Sequence, residues 1–294
     1  MKIGFIGLGI MGKPMSKNLI KAGYKLVVSG HDQSTAEELI ALGAEVMEKP
    51  KEIAAVSDVI ITMLPNSPQV KEVVLGKNGV IEGAKKGSVL IDMSSIAPLA
   101  TREIANALEK IGVDMLDAPV SGGEPKAVDG TISVMVGGKQ EVFDKNYTIM
   151  KAMSGSVVRT GDIGAGNATK LANQIIVAIN IAAVSEAFIL AEKIGVSPDL
   201  VYQAIRGGLA GSTVLDAKGP MMMDRNFQPG FRINLHMKDL TNVLETSHSL
   251  GLSLPLTASV MEMMQALKAD GHEAEDHSSL VKYYEKLANI KVER

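Results

Sequence analysis

The chain opens with Lys2-Ile3-Gly4-Phe5-Ile6 and passes straight into Gly7-Leu8-Gly9-Ile10-Met11-Gly12, followed by helix-favouring sequence to Ala22. An apolar pentapeptide, three glycines spaced G-x-G-x-x-G and a helix admit few folds. The first glycine allows the tight turn, the second lets a pyrophosphate approach the backbone, and the third lets helix pack on strand. Gly7, Gly9, Ile10, Met11 and Gly12 are therefore expected to hold a dinucleotide at a helix N-terminus, where backbone N–H groups favour an anion. A P-loop is excluded, because Lys13 is followed by Pro14 and the glycine spacing is wrong.

The pattern then repeats. Strands are expected at Leu26–Ser29, Val59–Leu64, Val89–Met93, Met115–Val120 and Ile132–Val136, with helices at Ser34–Leu42 and from Pro98 to Lys110. Strands alternating with helices at this spacing predict a doubly wound, Rossmann-type parallel sheet. Ligands in such sheets bind beyond the carboxyl ends of the strands. Met63, Leu64, Pro65, Ser94 and Ser95 lie at such ends. Ser121-Gly122-Gly123 offers a hydroxyl and sparsely covered backbone N–H groups, either a nest for a carboxylate or a plain tight turn.

From Gly161 to Lys193 the character changes. Gly161, Gly164 and Gly166 precede the longest apolar run in the chain, where Asn167 or Thr169 could cap a helix. Lys170 and Asn173 share a face of that helix at i and i+3. Helices are expected thereafter from Pro198 to Ile205, Met237 to Ser249, Leu256 to Ala269 and Ser278 to Ala288. The chain thus divides into a Rossmann domain, 1–162, and an all-helical domain, 163–294, that begins with the long helix. Lys170 stands where the two architectures join, and clefts between domains favour ligands.

Composition excludes several classes. A net charge of −3 and few aromatic residues offer nucleic acid neither a basic patch nor a stacking platform, and without cysteine no disulfide or thiolate metal site exists. Asn180, Ser185 and Glu186 interrupt the run after Ile175, so a buried helix is expected there rather than a membrane span. The glycines at the N-terminus argue against a signal peptide, and a cytoplasmic protein is expected. His272-Glu273-Ala274-Glu275-Asp276-His277 lacks H-E-x-x-H spacing, so no metal is expected there.

Taken together, GFIGLGIMGKPMSKNL, DAPVSGG, GAGNATKLANQ and HMKDL occur in the order seen in the β-hydroxyacid dehydrogenase family. DMSSIAPLATREI, IRGGLAGSTVLDAK and MDRNFQPGFRINLHMKDL most resemble its tartronate semialdehyde reductases. The resemblance spans essentially the whole chain. It implies reduction of tartronate semialdehyde to D-glycerate with NAD(P)H. The alternatives are oxidation of 3-hydroxyisobutyrate, reduction of glyoxylate or succinic semialdehyde, and a silent dinucleotide-binding module. A lysine ammonium is protonated at neutral pH and can give its proton to a developing alkoxide. Lys170 is accordingly the expected general acid, which argues against the related imine reductases. Asn173 would hold the substrate hydroxyl or the lysine, and Ser121, Gly122 and Gly123 the substrate carboxylate. By resemblance Phe231 covers the site, Lys238 lies near the nicotinamide and Asp239 helps hold it. Domain closure over the substrate and a homo-oligomer, dimer or tetramer, are expected.

Cofactor choice departs from the usual pattern. The second strand ends Val27-Val28-Ser29-Gly30-His31-Asp32, without the acidic residue that reads the ribose 2′-hydroxyl in NAD-selective domains. Ser29 and His31 can donate to a 2′-phosphate and Gly30 leaves it room. Use of NADPH or NADH, with NADPH modestly favoured, is expected.

Overall fold

A computed structural model describes residues 1–30 and 33–294. His31 and Asp32, on which part of the cofactor expectation rests, lie outside the described residues. Contacts divide the chain into two compact units, Met1–Lys170 and Leu171–Arg294. The division falls within one helix, beyond the 162/163 boundary drawn from sequence.

The first unit is built on strands β1 (Lys2–Ile6), β2 (Lys25–Ser29), β3 (Glu45–Met47), β4 (Val59–Thr62), β5 (Val89–Asp92), β6 (Asp114–Asp117), β7 (Val120–Ser121), β8 (Ile132–Gly137) and β9 (Ser154–Gly161). Their order in the sheet is β3-β2-β1-β4-β5-β6-β8-β7, with β9 on β8. The pairs from β3 through β6 are parallel, and β8 runs antiparallel to β6 and β7. Between them lie helices α1 (Gly12–Lys21), α2 (Gln33–Ala41), α3 (Pro50–Val56), α4 (Ser67–Leu75), α5 (Pro98–Glu109), α6 (Gly123–Asp129) and α7 (Gln140–Lys151).

Alternating side chains along each strand feed two cores, one on each face. Ile3, Phe5, Leu26 and Val28 pack with Met15 and Leu19 of α1. Ile6, Val27, Ile60 and Leu90 pack with Ile53 and Ile104 on the other face. The continuous strand expected over Met115–Val120 is split into β6 and β7 by Ala118-Pro119, since proline has no N–H to give a ladder. The strand expected to reach Leu64 stops at Thr62, where the chain turns toward α4.

The second unit is helical. Helix α8 (Ala165–Lys193) crosses into it, followed by α9 (Pro198–Ile205), α10 (Thr213–Met223), α11 (Ile233–Ser249), α12 (Pro255–Ala269) and α13 (Val281–Ala288). A 3-10 turn over His277–Leu280 replaces the first turn of the helix expected from Ser278. Helix α11 starts at Ile233, earlier than the expected Met237. By length and composition α8 could cross a membrane, yet its Ala178, Ile181, Val184 and Phe188 are buried in the core of this unit beside Met222, Leu240 and Met264.

Candidate active site

In the first unit, the expected cofactor residues gather at one edge of the sheet because β1, β2, β4 and β5 run parallel. Gly7 has φ +103°, and a β-carbon there would stand 2.3 Å from the Met63 carbonyl oxygen. One at Gly12 would be 1.8 Å from the Gly7 carbonyl oxygen. These two glycines let α1 and the end of β4 close on the loop. Gly9 differs, since an added β-carbon would meet nothing within 4 Å. Gly9 and Ile10 are exposed, no side chain caps α1 at Met11, and its first turn carries no acidic residue. The protein itself makes no steric use of the middle glycine. An open backbone cradle at an uncapped helix N-terminus suits a pyrophosphate.

The loops after β4 and β5 are tied together. The Leu64 N–H donates to Ser94 Oγ at 2.9 Å, while the Ser94 N–H and Thr62 hydroxyl both donate to Asp92 Oδ1, at 3.1 and 2.8 Å. Met63, Leu64 and Ser95 are half-buried on this rim and Pro65 is exposed. At the end of β2 the structure changes one expectation. A β-carbon on Gly30 would come 2.4 Å from Glu48 Oε1, and the Gly30 N–H donates to the Met47 carbonyl at 3.2 Å. The room that Gly30 was expected to leave is thus bordered by the exposed Glu48 carboxylate just beyond β3.

Ser121 closes β7 opposite Ser133 of β8. Gly122 and Gly123, with φ of +141° and +70°, turn the chain into α6. Such backbone is cheap for glycine alone, so the turn into α6 depends on both.

Lys170 is buried near the start of α8. The cap of that helix is not Asn167 or Thr169, as the sequence suggested. Asp117, at the end of β6, accepts from the Gly164 N–H through Oδ1 and from the Asn167 N–H through Oδ2, each at 2.7 Å. The Asn167 side chain instead accepts from the Ile96 N–H at 3.0 Å and donates to Thr101 Oγ1 at 3.1 Å. Thr169 bonds back to the Ala165 carbonyl.

Burial pushes the Asp117 carboxyl up to about 7, reinforced by the Asp92 charge and opposed by the two N–H donors. Its unfolded-state value is near 3.8. Between these values the folded chain holds a proton that the unfolded chain has lost. The resulting stability is fully present below about pH 4 and disappears as pH rises through about 7. Asp117→Asn should therefore flatten the pH dependence of urea unfolding between pH 4 and 7, by up to about 1.4 kcal/mol per pH unit. Equal slopes in the two proteins would show that Asp117 does not carry this proton.

In the second unit, Asn173 belongs to a chain of polar contacts that the sequence did not reveal. Its Nδ2 donates to Gln174 Oε1 at 2.9 Å, Gln174 Nε2 donates to Asp239 Oδ2, and Asp239 Oδ1 pairs with Lys238 Nζ at 2.6 Å. An ionised carboxylate only accepts, so Asp239 fixes the orientation of the Gln174 amide and Gln174 fixes that of Asn173. The Gln174 carbonyl lies 3.3 Å from His236 Nε2, and His236 Nδ1 lies 2.9 Å from His277 Nδ1. Because a carbonyl requires a donor, His236 Nε2 carries a proton, and in the neutral tautomer Nδ1 accepts from His277.

The half-buried Phe231 ring lies edge-on to both imidazoles, with centroids at 5.7 and 5.4 Å. Its loop is held by Asp276, which accepts from the Gly230 and Phe231 N–H groups at 3.0 Å and pairs with Lys218. The HEAEDH segment is thereby accounted for, since Asp276 and His277 support Phe231 while Glu275 pairs with His272 and Lys282. Among the described residues no group of three His, Cys, Asp or Glu side chains is placed to hold a metal ion.

A Rossmann sheet with an open glycine cradle, followed by a helical unit and a buried lysine near the head of the long helix, defines an NAD(P)-dependent oxidoreductase. Residues 2–161 match the family described as the NAD binding domain of 6-phosphogluconate dehydrogenase. Residues 164–284 match that described as NAD-binding of NADP-dependent 3-hydroxyisobutyrate dehydrogenase. The chain is 45% identical to the 2-hydroxy-3-oxopropionate reductase of Escherichia coli (strain K12), over 99% of this chain and 100% of that one. It is 36% identical to the 2-(hydroxymethyl)glutarate dehydrogenase of Eubacterium barkeri, over 99% and 97% of the two chains. The structure of Mycobacterium tuberculosis 3-hydroxyisobutyrate dehydrogenase, solved with L-serine, superposes with a TM-score of 0.90 at 31% identity, covering 96% of this chain and 98% of that one. The chain belongs to the β-hydroxyacid dehydrogenase family and is an NAD(P)-dependent oxidoreductase of that family.

Proposed function

We propose that the chain reduces tartronate semialdehyde (2-hydroxy-3-oxopropanoate) to D-glycerate with NADPH or NADH. The observation that carries this reading is the buried Lys170, held near the anchored head of α8 one turn before an amide of fixed orientation. The likeness to the E. coli reductase over the whole length supports the substrate.

When bound, the reduced nicotinamide supplies hydride for the aldehyde carbon. Lys170 Nζ gives its proton to the oxygen that becomes the alcohol, and in the reverse direction takes it back. Asn173 holds the substrate hydroxyl or steadies the lysine. Ser121 Oγ and the Gly122 and Gly123 N–H groups receive the carboxylate, and Phe231 excludes water. Gly7 to Gly12 and the loops of Met63 to Pro65 and Ser95 hold the dinucleotide, with Lys238 and Asp239 serving its nicotinamide end.

Following NAD(P)H absorbance with tartronate, methylmalonate and succinic semialdehydes and glyoxylate tests the assignment. The highest kcat/KM is expected for tartronate semialdehyde. A higher value for methylmalonate semialdehyde would make the chain a 3-hydroxyisobutyrate dehydrogenase, and oxidation with none would refute the reading.

Both dinucleotides should serve, with NADPH modestly favoured as the sequence at Ser29 to His31 suggests, but Glu48 works against the 2′-phosphate. A like charge about 4 Å away costs about 1 kcal/mol in water. Glu48→Gln should thus raise the NADPH-to-NADH ratio of kcat/KM about fivefold. An unchanged ratio would show that Glu48 does not face the ribose.

The exposed Ile176 and Leu190 of α8, with Ile194 and Leu200 beyond it, support a homo-oligomer in which a second copy covers them. A sedimentation mass of one chain at micromolar concentration would refute it.

A further inference from the structure

The head of α8 is fixed more firmly than a helix start requires. Asp117 spans it with both carboxyl oxygens, accepting from the Gly164 and Asn167 N–H groups at the open end of the first turn. Asn167 reaches out of the same turn to the Ile96 N–H and Thr101 Oγ1. Between these anchors Gly166 lies directly on the sheet, where a β-carbon would come 2.4 Å from the Asp117 carbonyl and 2.5 Å from that of Met135. Gly137 gives way in return, since a β-carbon there would stand 2.7 Å from the Gly166 nitrogen and 2.3 Å from Asp117 Oδ1. Asp117, Asn167, Ile96 and Thr101 are all fully or nearly fully buried. One turn of helix is thus pinned at three points to the ends of β6 and β8 and to the start of α5, at Thr101 and at Ile96 just before that helix.

Lys170 follows Asn167 by three residues, about 4.5 Å along the axis. Any rotation of the pinned turn is passed to it without slack, because no flexible residue lies between. A capping aspartate on a local N-cap would have stabilised the helix equally well. Drawing it from β6 instead ties the helix phase to the sheet that carries the glycine cradle.

We propose that Asp117 is a positioning residue for the proton transfer, setting Lys170 through the first turn of α8. This rests on Lys170 being the general acid. Asn167 is the second point of the same clamp. Misplacing a catalytic group by about 1 Å costs on the order of 10²-fold in rate, so a loosened clamp should cost about 10- to 100-fold.

Asp117→Asn keeps the shape of the side chain and puts an amide N–H against one of the two helix donors. Its kcat is expected to fall about 10- to 100-fold at a temperature well below its Tm, with the NADPH Kd from fluorescence titration within about twofold of wild type. The deciding comparison is the double variant with Lys170→Ala. If Asp117 acts through Lys170, the double variant is no slower than Lys170→Ala alone, whereas a purely structural defect multiplies the two losses. Multiplying losses, or a kcat for Asp117→Asn within about twofold of wild type, would overturn the proposal while leaving the role of Lys170 intact. A Lys170→Ala variant at wild-type turnover would remove both. Should Asp117→Asn not fold, Asn167→Ala in the same cycle decides by the same criteria.

Discussion

Replacing Lys170 by alanine is expected to lower kcat by about 10²- to 10⁴-fold, the usual contribution of a positioned acid or base, and to leave dinucleotide binding nearly unchanged. Lys170 is buried and is the titratable side chain at the head of α8. The turn before it is bonded to Asp117, Ile96 and Thr101. A helix held in this way keeps its phase when the side chain is shortened, so the variant should lose the proton donor and little else. Steady-state turnover combined with a nicotinamide deuterium isotope effect makes the check. Turnover within about threefold of wild type, with the isotope effect showing chemistry to be rate-limiting, would exclude Lys170 as the acid.

The three glycines of the cradle should respond in two different ways. Gly12→Ala forces a β-carbon to within 1.8 Å of the Gly7 carbonyl, a distance that backbone atoms relieve only if α1 backs away from β1. Overpacking of this kind costs about 1–3 kcal/mol or more, and both Tm and dinucleotide affinity should drop. Gly9→Ala meets no protein atom within 4 Å, so Tm should stay within about a degree of wild type. Its dinucleotide Kd should nevertheless rise tenfold or more, about 1.4 kcal/mol or above, because the methyl group fills the space that the pyrophosphate needs. Differential scanning calorimetry without ligand, paired with fluorescence titration, separates the two. Were Gly9→Ala to bind the dinucleotide as wild type does, the pyrophosphate would not lie over this residue.

Much of this was legible because it is local. The strand Lys2–Ile6, the loop Gly7–Gly12 and the helix after it are consecutive residues whose spacing dictates their conformation. The existence of β4 and β5 follows from apolar runs stopped by Pro65 and by Ser94-Ser95, though both strands end one or two residues earlier than those runs. Lys170 and Asn173 share a helix face by their separation alone. Motif order then carried the family, and with it the class of reaction.

Tertiary structure decided everything that depends on partners distant in the chain. Nothing near Asp117 marks it as the cap of a helix that begins at Ala165. Asn167 looks like a cap by position, but it lies inside a helix that starts at Ala165, and its own N–H is one of the free first-turn donors that Asp117 takes up from the sheet. Gln174 orients Asn173 only because Asp239 of α11 fixes its amide. Nothing in the polar loop around Asp276 and His277 shows locally that both support Phe231. Glu48 stands beside Gly30 because β3 pairs with β2. Local spacing sets which residues share a strand or a helix face, since backbone geometry repeats every 2 or 3.6 residues. Which carboxyl meets which N–H is set by the packing of elements far apart in sequence, where a buried donor must find an acceptor wherever the fold provides one.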